Sequence, residues 1–183
     1  SGGFRTTPKS VIAVLDEQGR ALSHHPFDVT QTIAIDTAES LNQGLQVVMR
    51  RGTGRSSPFA QNGVAGKTGT SNDNRDSWFA GFDNSQLSVV WVGRDDNKPT
   101  GLTGTSGAMQ IWNAITRAAG PDPLPAPLNV NSVAIEYDTG LQANAKCADV
   151  VVLPIRQPDT LQAKTGCGIK QSFSDRLRAI FGQ

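Results

Sequence analysis

The chain has 183 residues, of which 37% are hydrophobic and 18% are charged. This length suits one ordinary domain, or one domain with a small addition. The 17 Lys and Arg residues nearly balance the 16 Asp and Glu residues, which leaves a net charge of +1. Such a balance excludes the strongly basic surface of a nucleic-acid-binding protein, and no apolar run approaches the roughly 20 residues that span a bilayer.

The first third of the sequence predicts a hairpin and a helix. Ser10–Leu15 and Arg20–Ser23 are short apolar or mixed runs with a turn sequence between them, as expected of two paired strands. A helix is predicted over Asp36–Arg51, with Asp36 as its N-cap and Glu39 completing a capping box. The apolar stripe of this helix is predicted to comprise Leu41, Leu45 and Val48.

The middle of the chain predicts an antiparallel meander and a second helix. Three strand-like runs follow one another at Gly63–Ser71, Ser77–Phe82 and Leu87–Arg94. Ser106 offers an N-cap for the helix that follows, which should end at Ala119. The predicted stripe of this helix is Ala108, Ile111, Trp112 and Ile115. Core packing is also expected for the three tryptophans, Trp78, Trp91 and Trp112.

A change of composition after the second helix predicts a small C-terminal appendage. Residues 121–127 contain too many prolines for a regular element and indicate an extended linker. Val133–Tyr137 and Asp149–Leu153 predict two strands, and an amphipathic tail helix is marked by Phe173, Leu177 and Ile180. The predicted organisation is therefore a main domain over 1–120, the linker over 121–127 and the appendage over 128–183.

The two cysteines, Cys147 and Cys167, both lie in this appendage. They could close a disulfide loop of about 20 residues, which would stabilise the fold by about 3 kcal/mol and imply an oxidising compartment. Two unrelated thiols are the alternative, because two cysteines have only one possible pairing but need not pair.

The stretch Val64–Ser71, VAGKTGTS, combines glycine, lysine and hydroxyl residues in the manner of an anion site. A nucleotide-binding phosphate loop would need a glycine where this chain has Gln61, and a helix directly after Thr68. Turn-forming residues follow instead. On a strand, Thr68 and Thr70 would share one face and Lys67 would belong to the other, while Gly69 leaves room between the threonines. This arrangement predicts an edge that binds a peptide backbone and its terminal carboxylate.

Lys-Thr-Gly is one of the three sequence boxes of the penicillin-recognising acyl transferases, with S-x-x-K and S-x-N. The chain resembles the bifunctional class A penicillin-binding proteins, in particular the 1b type of Gram-negative bacteria, over essentially its whole length. The segments that carry this resemblance are Arg51–Arg55, Ala65–Thr70, Asp76–Gly81, Trp91–Asp95 and Ser106–Met109.

The resemblance implies the α/β fold of penicillin-binding transpeptidases and serine β-lactamases, with an antiparallel sheet flanked by helices. It also implies that Lys67 supplies positive charge and a hydrogen bond to the serine of S-x-N. Thr68, Gly69 and Thr70 would bind the substrate, the threonines through its carboxylate, and the backbone N–H of Thr70 would form half of an oxyanion hole.

The chain departs from the family pattern in one important respect. No serine in it has lysine three places on, so the nucleophile and its general base are absent. Ser40-Leu-Asn42 matches S-x-N, but it lies within the predicted helix and is not expected to be the functional box. We therefore expect the chain to be the C-terminal half of an incomplete transpeptidase domain, inactive by itself.

The function implied is peptidoglycan D,D-transpeptidation, in which a serine is acylated by a stem peptide ending in D-alanyl-D-alanine and the acyl group passes to an amine. β-Lactam antibiotics would acylate the same serine, and no cofactor is needed. The resemblance further implies a site at the periplasmic face of the inner membrane, an upstream glycosyltransferase domain and anchor, a lipid-linked precursor, and a Cys147–Cys167 bridge. Division proteins and an outer-membrane lipoprotein activator are candidate partners of the appendage, consistent with a role in cell shape.

Two alternatives stay open. A β-lactamase or D,D-carboxypeptidase shares the Lys-Thr-Gly box but uses water as the acceptor. A non-catalytic peptide-binding module would keep Thr68 and Thr70, which we call the carboxylate clamp, without the serine. A metal site at His24 and His25 is not expected, because adjacent residues of a strand point to opposite faces.

Overall fold

A computed structural model describes residues 2–128, 130–144, 146–147 and 149–155. The chain divides into two compact units between Asn42 and Gln43. The first unit contains two antiparallel pairs, β1 (Phe4–Thr6) with β4 (Val29–Gln31), and β2 (Ala13–Leu15) with β3 (Ala21–His24). The predicted hairpin is the second of these pairs. The first pair, which joins strands far apart in the sequence, was not predicted.

Helix α1 (Ile35–Arg50) lies within one residue of its predicted position at both ends. Asp36 is the second residue of the helix, in its first turn, so the predicted N-cap and capping box are wrong. The predicted apolar stripe is also wrong in part, because Leu41 is exposed. The buried residues of this helix are Gln43, Gln46 and Met49. Gln46 is buried because its amide donates a hydrogen bond to the carbonyl of Gly63.

The predicted meander forms the central sheet of the second unit, with strand order β5 (Ala65–Thr70), β6 (Ser77–Phe82) and β7 (Leu87–Val92). All three strands are antiparallel, and the pairing is regular from end to end. One face of the sheet is buried, because Phe79 and Val90 point into the main hydrophobic core. This core also contains Met49 from α1, together with Val64, Ala108, Met109 and Trp112.

Helix α2 (Ala108–Ala119) packs on that buried face. Trp112 lies against the bare backbone of Gly81, where an added Cβ would come within 2.5 Å of the indole ring. The predicted stripe is right for Ala108 and Trp112 but wrong for Ile111 and Ile115, which are exposed. The N-cap position is Gly107, since Ser106 uses its hydroxyl to accept a hydrogen bond from the backbone of Thr103. An α/β fold with helices against an antiparallel sheet is confirmed.

The linker over 121–127 contains no helix or strand, as predicted. β8 (Asn131–Glu136) and β9 (Val150–Ile155) then pair antiparallel, as expected of the appendage. Cys147 is buried, but Cys167 and the predicted tail helix lie outside the described residues. The disulfide and the three-part domain division stay predictions. No helix in the described ranges has the length and apolar character that a membrane span requires.

Candidate functional site

Strand β5 carries the Lys-Thr-Gly sequence and lies at one edge of the central sheet, with β6 on its other side. The strand register separates the candidate residues by face. Thr68 is opposite the buried Phe79, and Thr70 is opposite the buried Ser77. Lys67 and Gly69 are opposite Ala80 and Trp78, on the outer face. The alternation predicted from the sequence therefore holds in the sheet.

Both threonine hydroxyls have defined hydrogen-bond partners outside the strand. Thr68 Oγ1 lies 2.7 Å from the hydroxyl of Thr53, in the Arg51–Arg55 loop after α1. Thr70 Oγ1 accepts a hydrogen bond of 2.9 Å from the backbone N–H of Gly104. Because that bond occupies a lone pair, the Thr70 hydroxyl proton stays available for donation to a ligand. Two segments that are distant in sequence thus orient the two threonines.

The backbone of β5 directs hydrogen-bonding groups towards the edge that pairs with no other described strand. Ser71 donates its N–H to the carbonyl of Asp76, on the β6 side, over 3.1 Å. Backbone groups alternate in direction along a strand, so the N–H of Thr70 points to the opposite side. The same alternation turns the Thr68 carbonyl outward, where it accepts a hydrogen bond of 2.7 Å from Lys67 Nζ. The edge therefore presents a backbone donor and an ammonium group together.

The turn after the strand is held by Asp76. Its carboxylate accepts hydrogen bonds from Ser71 Oγ at 2.8 Å and from Trp91 Nε1 at 3.0 Å. Ser71 Oγ in turn accepts the backbone N–H of Asp76. The hydrogen bonds from Trp91 and Ser71 hold the pKa of Asp76 below its ordinary value of 3.8. Asp76 is therefore charged at neutral pH and fixes the end of β5.

The outer face of the sheet, the one that carries Lys67, is apolar and exposed. Trp78 is paired with Trp91, and Ala80 is paired with Val89. Exposed fractions are 45% for Trp78, 69% for Leu87, 58% for Val89 and 47% for Trp91. The predicted core packing of Trp78 and Trp91 is therefore wrong, and only Trp112 is buried. We call Trp78, Ala80, Leu87, Val89 and Trp91 the outer apolar face.

The other candidate residues, Ser40, His24 and His25, belong to the first compact unit. Ser40 is in the middle of α1, where its hydroxyl donates to the carbonyl of Asp36, which does not suit a functional S-x-N box. His24 and His25 are both exposed. The part of the chain that the structure describes contains no group of three metal-ligating side chains.

Sequence reasoning missed Thr53 and Gly104 as parts of the site. Both belong to loops, and neither has a position in a helical or strand pattern that marks it. The one available signal was the Arg51–Arg55 segment, which contributed to the family resemblance without any role assigned to its threonine.

Comparison with known proteins identifies the family of the chain. Residues 1–117 match the family model of the penicillin-binding protein transpeptidase domain. Penicillin-binding protein 1B of Vibrio cholerae is 33% identical over 159 residues, which are 85% of this chain and 20% of that protein. Penicillin-binding protein 1B of Escherichia coli is 37% identical over 142 residues, or 75% of this chain and 17% of the relative.

The fold is also found in a solved structure. The crystal structure of penicillin-binding protein 1A from Haemophilus influenzae superposes with a TM-score of 0.68 at 20% identity, over 90% of this chain and 31% of that one. The chain spans a fifth or less of the length of the two curated relatives. On the match of the family model to more than half of its residues, the chain belongs to the penicillin-binding protein transpeptidase family.

Proposed function

We propose that the chain supplies the Lys-Thr-Gly half of a peptidoglycan D,D-transpeptidase site within a longer protein. The observation that carries this proposal is the open edge of β5. There, two oriented threonine hydroxyls, an outward backbone N–H and the Lys67 ammonium are held on one strand. This set of groups suits a peptide that lies along the strand and ends in a carboxylate.

The roles of these residues follow from their chemistry. The hydroxyls of Thr68 and Thr70 bind the carboxylate of the terminal D-alanine or of a β-lactam. The N–H of Thr70 stabilises the oxyanion that forms when serine attacks the peptide carbonyl. Lys67 supplies positive charge near the serine. The same charge lies near the groups that take the proton of the serine hydroxyl. D-alanine leaves, and an amine of a neighbouring stem peptide takes the acyl group.

The nucleophile has to come from another part of the protein, because no S-x-x-K sequence occurs in this chain. The outer apolar face supports this view, since Lys67 projects from the side of the sheet that has exposed tryptophans. A second half of the domain that packs there would cover the apolar surface and bring its serine to the strand edge. The chain by itself is then inactive.

Intact-mass spectrometry after incubation with benzylpenicillin tests the proposal. The full-length protein that contains this chain should gain the mass of one penicilloyl group, and the chain alone should gain none. Mutation of the S-x-x-K serine should abolish the gain. Acylation of the chain alone would show that it contains its own nucleophile, and no acylation of either form would favour a non-catalytic peptide-binding module.

The acceptor of the acyl group distinguishes a transpeptidase from the other enzymes that have a Lys-Thr-Gly box. A β-lactamase would release the penicilloyl group within the time of the measurement, and a D,D-carboxypeptidase would convert a donor peptide without forming cross-links. The family model favours the transpeptidase. A site of action at the periplasmic face of the inner membrane, a lipid-linked precursor and activator or division proteins as partners belong to the same proposal.

A further inference from the structure

The lysine of the Lys-Thr-Gly sequence lies on the opposite face of the sheet from the two carboxylate-binding threonines. Thr68 and Thr70 point to the face that carries Phe79 and Ser77, whereas Lys67 points to the outer face. Its ammonium reaches the strand edge, where it is bonded to the Thr68 carbonyl. Carboxylates in proteins are bound most firmly when a charged donor takes part. A second cation that approaches from the threonine side would complete the clamp.

A cleft lined by two arginines includes Thr53, the hydrogen-bond partner of Thr68. It has a volume of about 550 Å³, and its lining includes Arg51, Thr53, Arg55, Thr105 and Tyr137. None of the described residues that line this cleft is acidic. Two arginines therefore line a space that has no acidic residue in its described walls.

The cleft and the clamp share structural elements. Thr53 lines the cleft and bonds the hydroxyl of Thr68. Thr105 also lines the cleft, and its hydroxyl donates to the backbone carbonyl of Thr53. The neighbouring Gly104 donates its N–H to Thr70. Each clamp threonine is therefore one hydrogen bond away from a segment that forms the cleft wall.

The two arginines differ in the contacts that their guanidinium groups make with the rest of the chain. Arg51 donates to the carbonyl of Val150 over 2.7 Å and lies 5.9 Å from the centre of the Tyr137 ring. These contacts tie Arg51 to the appendage. Arg55 is exposed, and its guanidinium has no hydrogen bond or ion pair with any described residue. Its fork of N–H donors is thus available for a carboxylate.

We propose that Arg55 is the cation of the carboxylate clamp, and that it binds from the cleft the same terminal carboxylate that the threonines hold. This inference rests on the proposed function. It divides the positive charges of the site by face: Lys67 serves the serine chemistry and Arg55 serves ligand recognition. Arg51 and Tyr137 also line the cleft, and Arg51 contacts Tyr137 and Val150 instead of being free for a ligand.

The test measures the second-order rate constant of acylation in the full-length protein, with benzylpenicillin and with its methyl ester, which has no carboxylate charge. Arg55→Gln should lower the rate constant for benzylpenicillin by roughly tenfold, as expected for the loss of one charge-assisted hydrogen bond. The ester should acylate wild type and variant equally. Arg55→Lys should restore part of the loss, because it restores the charge without the planar fork.

Arg50→Gln is the matched control, since it removes the same charge five positions away, where the side chain is bonded to Gln46. It should acylate at the wild-type rate with both compounds. An Arg55→Gln variant that acylates like wild type with benzylpenicillin, or that loses the same factor with both compounds, would overturn the inference. Failure of the wild-type protein to form any acyl-enzyme would overturn the proposed function itself, and the clamp with it.

Discussion

Individual hydroxyl groups, those of Thr68 and Thr70, give the proposed carboxylate clamp its direction. A threonine hydroxyl has one proton to donate and two lone pairs to accept with. In Thr70 one lone pair is occupied by Gly104, and in Thr68 the hydroxyl is paired with that of Thr53. Thr53 is held in turn through its carbonyl by Thr105. In the proposed clamp, the positions of these hydroxyl protons therefore depend on residues that need not touch a ligand.

Thr53→Val should weaken the clamp without removing any of its groups. Valine keeps the shape of the side chain but has no hydroxyl to orient Thr68. We expect acylation of the full-length protein by benzylpenicillin to slow by about three- to tenfold, the cost of one neutral hydrogen bond. Thr53→Ser should recover most of the rate. Equal rates in the valine and serine variants would show that the Thr53 hydroxyl does not position Thr68.

Asp76 predicts a pH dependence of stability. Its pKa is lowered in the folded state by hydrogen bonds from Trp91 and Ser71. A lowered folded pKa means that the carboxylate stabilises the fold above the unfolded value, near 3.8, and that this contribution disappears as pH falls through the folded pKa. Asp76→Asn should therefore be less stable than wild type at neutral pH, with a difference that shrinks below pH 3.8. Urea unfolding across this range measures it, and a constant difference would contradict the assignment.

At the scale of elements, the sequence predicted strands better than helix faces. The meander was predictable because Leu87–Val92 and the two runs before it are short and strand-like, with turn residues between them. The helix faces were not, because burial in α1 and α2 is decided by neighbours. Gln46 is buried through its bond to Gly63, and Asn113 through the hydroxyl of Ser57, so polar residues occupy the buried stripe.

The candidate site, like the fold, was predictable from the sequence only in part. The Lys-Thr-Gly strand is visible in the sequence, because its candidate residues are consecutive within one element. Thr53 and Gly104 reach the strand from loops far along the chain, and their contribution is a long-range contact that no local pattern encodes. The exposure of Trp78 and Trp91 was missed for a related reason, since apolar alternation cannot distinguish the two faces of a sheet when both are apolar.

Gly104→Ala should disturb the position of Thr70, because an added Cβ would collide with the neighbouring strands. A Cβ at this position would come within 2.7 Å of the carbonyls of Gly69 and Trp78 and within 2.9 Å of the Gly69 nitrogen. Backbone atoms cannot rotate away, so either the loop or β5 must shift. We expect a destabilisation of about 1–3 kcal/mol by thermal unfolding of the full-length protein, accompanied by slower acylation.

Gly44→Ala is the control for that substitution. Gly44 lies within α1, and an added Cβ there has no atom within 4 Å. The alanine should leave acylation unchanged and stabilise the helix by roughly 0.5–1 kcal/mol, because glycine is a poor helix former. A similar loss in both variants would mean that the effect of Gly104→Ala does not arise from its contact with the strand.

At the scale of the whole molecule, the sheet has one face packed by helices and one face that is apolar and open. Large exposed apolar patches mark surfaces that contact other protein. The chain spans a fifth or less of its curated relatives, and Lys67 projects from the open face. These facts agree with a domain in which a second segment, bearing the serine, packs on the outer apolar face.

Val89→Lys tests whether this face is covered in the full-length protein. If another segment packs there, the lysine is buried without a partner and should lower the stability of the domain by several kcal/mol and abolish acylation. If the face stays open, the change should shift stability by no more than about 0.5 kcal/mol, as surface substitutions do. Val152→Lys places the same side chain at another exposed strand position, in β9, and serves as the control. The measurements are thermal unfolding and benzylpenicillin acylation of both variants. Equally small effects of the two substitutions would show that the outer apolar face is not an interface within the protein.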